Sequence, residues 1–337
     1  MLLLLACAPA DSAEPAPEPV GHVVLRGATV VGVGVADVEI DGDRIVAVGR
    51  VGEAEVVDVT GKWLVPGFVD SHVHLAYLPE ADALAAGGVV AAVDLAAPIE
   101  FVASDAPLRI AWSGPMVTAP SGYPTTSWGR DGYGIECADA DEAVAAVERI
   151  HAAGGRVVKI PLEGTRRLDA AAVAAAVARA HALGMKVAMH ALSDADALAA
   201  AQYGADALAH TPSAAMPATT AAWSGRAVVS TLSAFPGNLG AFRDAGATVL
   251  YGTDFGNTRE PGISAAEIAA LVDAGLSPAE VIAAGTSAPA AFWGFDDLGE
   301  IAAGKAASLL VLGADPLVDP LALASPEAVY VDGVRFR

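Results

Sequence analysis

Between residues 66 and 296 the chain alternates between two textures. Short runs of almost entirely apolar residues give way to alanine-rich stretches in which charged positions recur with helical spacing. The first texture reads as buried strands and the second as helices packed on them. Strands are expected at 67–74, 89–95, 109–117, 156–160, 186–191, 207–211, 227–233 and 248–254. Helical stretches intervene, among them "DADEAVAAVERIHAAG", "DAAAVAAAVARAHALG" and "DADALAAAQYG". Each opens with an acidic residue and closes on glycine, as helix ends favour. Eight strand–helix units in succession predict an α/β fold, a (β/α)8 TIM barrel.

Outside that region the period changes to two. "HVVLRGATVV", "VADVEIDGDRIVAVG" and "AEVVDVTGKWLVPG" precede it; "AASLLVLGAD" and "AVYVDGVRFR" follow it. Neither set makes a domain alone, so residues 21–65 and 297–337 are expected to share a small β-sandwich built from both termini, beside a barrel of 66–296.

Composition narrows the partners. The 337 residues are 54% hydrophobic, enough for a sizeable core, and carry a net charge of -21. An acidic surface argues against nucleic acid or anionic lipid as partner and says nothing of the active site; a small-molecule substrate is the expected partner on the chemistry below. No apolar stretch reaches the roughly 18–20 residues a membrane span needs. Oligomeric state is left open.

The polar residues inside the strands carry the chemistry. "LVPGFVDSHVHLAY" places His72 and His74 one residue apart at the end of a buried strand, so both imidazoles point to one face. Two loop histidines with separate hydrogen bonds would be the bland alternative. His190 in "KVAMHA", His210 in "ALAHTP" and Asp254 in "YGTDFG" close three other strands. The C-terminal mouth of such a barrel is where active sites form, and a single strand-end histidine is far easier to explain structurally than four with an aspartate. His151 and His181 are expected as ordinary residues of the helices before the fourth and fifth strands, and His22 at the surface. Lys159 lies among Val157, Val158 and Ile160. A buried ammonium beside dications is disfavoured, so its amine should lose its proton and become able to add carbon dioxide. A lysine snorkelling outward is the alternative.

"PGFVDSHVHL", "VVKI", the two later strand-end histidines, "GTD" and the closing "LSPAEVIAAGTSAPAAFWGF…LGEIAAGKAASLLVLGADPLVDP" together resemble the amidohydrolase superfamily, over residues 21–337. The imidazolonepropionase-like and Xaa-Pro-dipeptidase-like branches are the nearest in texture. One departure is Ser308, where those branches usually show aspartate.

The resemblance implies two divalent metals, zinc by expectation. His72, His74 and Asp254 would hold the more buried one, His190 and His210 the other, and carboxylated Lys159 would bridge them. A metal-bridging hydroxide would cleave the amide bond of a dipeptide, N-acyl amino acid or cyclic amide, with Asp254 as general base and acid. Ala76 replaces the arginine of dihydroorotase-like members, and Ser193 the glutamate of deaminase-like ones, which makes both chemistries less fitting. Substrate contacts are expected from the loop "TAPSGYPTTSWGRDGYG", through Tyr123 and Trp128, and from Arg166. A mononuclear imidazolonepropionase-like hydrolase with unmodified Lys159, and a non-catalytic metal- or ligand-binding lipoprotein, are the competing readings.

The first residues, "MLLLLACAPADSAEPAPEP", resemble the end of a bacterial lipoprotein signal, without its basic start. Cys7 would be lipidated and residues up to 20 would form a tether. That places the protein in the cell envelope, lipid-anchored or periplasmic, and in the cytoplasm if the signal reading fails.

Overall fold

A computed structural model describes residues 17–337. Cys7 and the first part of the tether lie outside the described residues. The eight expected strands are present in order, in two parallel sheets. Phe68–Val73, Val89–Asp94 and Arg109–Trp112 form one; Val157–Pro161, Lys186–His190, Ala207–Leu208, Ala227–Val229 and Thr248–Leu250 form the other. The strands that carry the later histidine and aspartate are shorter than their apolar runs, because their last residues leave the ladder to face the site.

The two sheets meet differently at their two seams. The first and last strands are joined by backbone bonds: Ser71 N donates to Tyr251 O at 2.8 Å and His74 N to Phe255 O at 2.7 Å. At the other seam the expected strand 109–117 breaks. Gly114 has φ 64°, a conformation that glycine adopts without strain, and Pro115 has no N–H to offer. Beyond the break Met116–Thr118 pairs with Gly134–Glu136 instead of the fourth strand. One bond, from Arg156 N to Trp112 O at 2.9 Å, crosses this seam. The expected closed barrel is therefore an ordered set of eight strands whose ladder is open between the third and fourth.

The termini build one nine-stranded sheet, in place of the expected two-layer sandwich. The cause is the long strand His22–Val30. Its register shifts between Leu25 and Ala28, at Gly27 with φ 82°. The bend lets one edge pair first with Glu55–Asp58 and then with Trp63–Pro66, so the layers expected to stack remain one curled sheet. It closes over its own core of Val23, Leu25, Val38, Ile40, Ile45, Leu64, Leu309 and Tyr330. Its other end is C-terminal: Leu309–Leu312 pairs with Trp63–Pro66 and with Ala328–Val331.

The three quoted helical stretches are the helices Ala140–Ala152, Ala170–Ala182 and Asp194–Tyr203. Asp139, Asp169 and Ser193 accept the N-terminal N–H groups that a helix leaves unpaired. Alanines dominate their buried faces, which lets them lie close to the strands. The sheet and the strand region are tied by ions. Arg109, at the start of the third strand, bonds to Asp297 and Asp332, and Arg44 of the terminal sheet also bonds to Asp297. Ser308 accepts from Asp332 N at 2.9 Å and donates to its carboxylate at 3.1 Å. Asp332 thus offers its carboxylate within hydrogen-bonding distance of the position where the superfamily usually shows one.

Candidate metal centre

His72 and His74 end the first strand with both rings buried, as the spacing predicts. Their Nε2 atoms lie 3.4 and 3.1 Å from Asp254 Oδ1. One donor atom from each of the three residues lies within 4.8 Å of the others. Two imidazoles and a carboxylate converging on one point suit a divalent cation. His72 Nδ1 is 3.0 Å from the Ala209 carbonyl, to which it donates. That bond fixes the ring and leaves Nε2 with its lone pair turned inward. Burial holds His72 well below the ordinary histidine range, with Lys159 adding to the effect. A neutral imidazole is the form a metal takes.

Asp254 is held by its own turn. Its φ is 56°, a left-handed conformation that aspartate tolerates better than most residues. Asn257 N and Thr258 N donate to its carbonyl at 3.0 and 2.9 Å, and Asn257 Nδ2 reaches its two carboxylate oxygens at 3.1 and 3.2 Å. Burial would raise the Asp254 pKa, but His72, His74 and Asn257 together lower it to about 2. The flanking glycines explain how the two strands come this close. A Cβ on Gly252 would lie 3.2 Å from His72 Cβ, and one on Gly256 would lie 2.8 Å from His74 Cβ.

Asp70 ties the two ligand-bearing segments together. It accepts from His72 N at 3.0 Å, from Thr253 N at 3.1 Å and from Thr253 Oγ1 at 2.5 Å. Burial raises its pKa to about 7 against these bonds. Asp94 plays the matching part beyond His74, accepting from Leu75 N at 2.7 Å and Ala96 N at 3.0 Å. Nothing in the periodicity singled out either residue: each ends or interrupts an apolar run, and its partners are distant or one turn away.

The other expected ligands are in the same cluster. The His210 ring lies 4.5 Å from His72 and 4.8 Å from His190. His210 Nδ1 is 2.9 Å from Thr231 Oγ1. Thr231 in turn sits at the start of a loop pinned by buried Glu267, which accepts from Leu232 N and Ser233 N at 2.9 and 2.8 Å. Burial lowers the pKa of both His190 and His210. Lys159 is fully buried with no hydrogen-bond partner for Nζ. Burial brings it down to about 7, with Asp254 and Asp94 opposing. The snorkelling alternative does not occur. His190 Nε2 is also without a well-aligned partner, although Glu163 Oε2 lies 2.7 Å away. Orphaned buried nitrogens on Lys159 and His74 are costly unless another group completes them.

Aromatic rings surround the cluster. Trp128 lies 5.1 Å from His74, Tyr123 5.2 Å from His190, and Phe235 4.4 Å from His210. Trp128 Nε1 donates to the Tyr123 hydroxyl at 2.8 Å. Burial raises Tyr123 to about 12, so it keeps its proton. Phe235 was not anticipated. Arg166 is on the exposed loop after the fourth strand, and its neighbour Arg167 is engaged by Asp196. Elsewhere, His22 is at the surface as expected and bonds to Glu39, and His181 lies on the helix Ala170–Ala182 and bonds to Asp206. Cys137 is a buried free thiol.

Comparison with known proteins points one way. Residues 237–335 match the family model described as Amidohydrolase family. No curated protein sequence matches the chain. A Bifidobacterium longum protein assigned as a prolidase superposes with TM-score 0.80 at 25% identity, over 94% of each chain. A Xaa-Pro dipeptidase with methionine bound in its active site gives TM-score 0.81 at 19% identity, over 94% of this chain and 99% of that one. A prolidase complexed with N-methylphosphonate-L-proline gives 0.80 at 21%, over 93% and 99%.

Proposed function

We propose that this chain, whose residues 237–335 match the amidohydrolase family model and whose fold is that of a protein assigned as a prolidase, is a metal-dependent hydrolase that cleaves the amide bond of a small dipeptide-like substrate. The carrying observation is the His72–His74–Asp254 group, with Lys159, His190 and His210 buried against it. The neighbours named as prolidases and Xaa-Pro dipeptidases favour a dipeptide over a cyclic amide.

Two divalent ions would fit the donor set, zinc being among the metals that imidazole with carboxylate suits. His72, His74 and Asp254 would hold one, and His190 with His210 the other. When bound, they would polarise the scissile carbonyl and make water a nucleophile near neutral pH. The protein's own residues do the rest. Asp254, kept ionised and fixed by Asn257, accepts the proton of the attacking water and returns it to the leaving amine. Tyr123 keeps its O–H proton while its oxygen accepts from Trp128, so it can donate to the carbonyl oxygen as that oxygen becomes negative. The aromatic rim excludes water from these groups.

Lys159 would supply an anionic group beside the ions. Burial lowers its amine to about 7, so a substantial neutral fraction would add carbon dioxide to give a carbamate and a proton, R–NH2 + CO2 → R–NH–COO⁻ + H⁺. Two oxygens and a negative charge then stand where an orphaned nitrogen otherwise would. Metal content measured alongside activity on Xaa-Pro and other dipeptides, N-acyl amino acids and lactams tests the reading. Two metals per chain with dipeptide turnover are expected. One metal with lactam turnover alone would instead favour the mononuclear cyclic-amide enzyme.

N-terminal anchoring through Cys7, in the cell envelope, is part of the same proposal. Replacing Cys7 by Ser should release the protein from the membrane fraction.

A further inference from the structure

Glu163 has no part in the ligand set above. It follows the fourth strand by two residues, on the mouth side of Lys159. Its side chain is 45% exposed, yet one oxygen reaches to 2.7 Å from His190 Nε2, an atom that is itself buried. Tyr123 lies on the same imidazole ring at 5.2 Å. A solvent-facing carboxylate therefore overhangs the more open side of the centre, next to the residue proposed to touch the scissile carbonyl. Salt bridges to lysine or arginine are formed by many carboxylates of this chain, but not by Glu163: its one ionic neighbour among the described residues is His190.

We infer that Glu163 receives the free α-ammonium group of the substrate and thereby selects unblocked dipeptides over N-acyl amino acids and lactams. This rests on the amide-hydrolase reading above. The geometry of the substrate is the main support. Across N–Cα–C, the ammonium nitrogen of a dipeptide is only about 2.5 Å from the scissile carbon. Whatever holds that carbonyl beside His190 must accept a cation almost in contact with it. A cation that close to bound dications is repelled, and only an adjacent anion offsets the repulsion. Glu163 is the carboxylate at that place which can turn outward, since Asp254 faces inward under Asn257. Were His190 Nε2 to hold a metal, Glu163 would give up the imidazole and its charge would face the mouth. An N-acyl substrate brings no charge there and gains nothing from it.

The test compares wild type, Glu163→Gln and Glu163→Asp, each assayed for metal content. For a Leu-Pro substrate, Glu163→Gln should lower kcat/KM by roughly 10- to 100-fold, as loss of a charge-assisted hydrogen bond does. N-acetyl-Leu-Pro should change less than about threefold, and Glu163→Asp should recover part of the loss. Calorimetric binding of L-leucinamide against N-acetyl-L-leucinamide gives a second readout that needs no turnover. Wild type should prefer the free amine, and Glu163→Gln should not. Equal losses for both substrates, loss of metal in Glu163→Gln, or an unchanged preference for the free amine would each overturn the inference. If neither substrate is cleaved, the hydrolase reading fails, and the calorimetric preference still decides the role of Glu163.

Discussion

Single residues in this protein are informative when their neighbours make them improbable. His72 and His74 could be read as a pair because strand alternation fixes which way they point. Lys159 could be read because three apolar neighbours put a cation where none belongs. Asp70, Asp94 and Glu267 could not, since a buried carboxylate that accepts backbone N–H groups looks the same in sequence as a solvated one. Two predictions belong at this scale. Replacing Lys159 by Ala should remove the second metal and nearly all turnover while the fold survives. A short carboxylic acid added to the buffer should restore part of both, by filling the gap between the ions. Retention of two metals and full activity in that variant would refute the carbamate. Asp70→Ala leaves His72 N and Thr253 N without their acceptor, so metal affinity should fall by about 10- to 100-fold. Equilibrium dialysis of the variant against a chelator series measures it; an unchanged affinity would show that the strands hold their ligands unaided.

Among elements, the contact between the first and last parallel strands matters most. Its backbone bonds at Ser71 and His74 set both histidines against the turn that carries Asp254. The apolar runs announced both strands, but pairing between residues 180 apart in sequence is not written in either. Nor was the break after Trp112, although Gly114 and Pro115 signal it once the pairing of Met116–Thr118 is known. Gly256 is the sensitive point of the contact. It combines φ 113° with a Cβ position 2.8 Å from His74 Cβ and 3.0 Å from His74 O. Gly256→Ala should therefore cost about 1–3 kcal/mol or more in stability and weaken metal binding at the same time. Denaturant unfolding of the metal-free and metal-loaded protein separates the two effects. If alanine is accommodated with neither changed, the close approach is not what places His74.

For the molecule as a whole, the two ends of the chain meet in one sheet, and ions fasten that sheet to the strand region. Matching period-two texture at both termini made the shared sheet legible; its single curled layer was not, because it depends on a bulge at one glycine. Deleting residues 309–337 removes the strand that pairs with Trp63–Pro66, so amide protection near residues 23–40 should be lost with it. The ionic fastening gives a pH dependence. Hydrogen bonding from Arg109, opposed by partial burial and aided by Arg44, lowers Asp297 from 3.8 to about 2. A carboxylate depressed in the folded state stabilises it above the unfolded value, and that contribution disappears as pH falls from about 4 toward 2. Asp297→Asn should flatten the acid side of the stability curve in that window. The effect is muted by solvent, since the side chain is 30% exposed. An unaltered acid limb in chemical denaturation would mean that Arg109 relies on Asp332 instead.

The sheet also joins the first described strand to the last. Glu18 is paired with Arg335 and Pro19 with Val334, one strand spacing apart, or about 4.8 Å. The described residues, 17–337, are thus nearly a loop. In a chain begun at residue 17, a few added residues could close that loop, and it could be reopened at an exposed turn such as the one around Thr126 and Ser127, giving a circular permutant. In such a permutant, residues 309–337 would come before residues 22–66 in the chain. Every strand would keep its neighbours, and the metal centre, which lies in the parallel-strand region and not in the terminal sheet, would keep its ligands. The order in which the ribosome delivers the two halves of the terminal sheet would then be a matter of history rather than of structure.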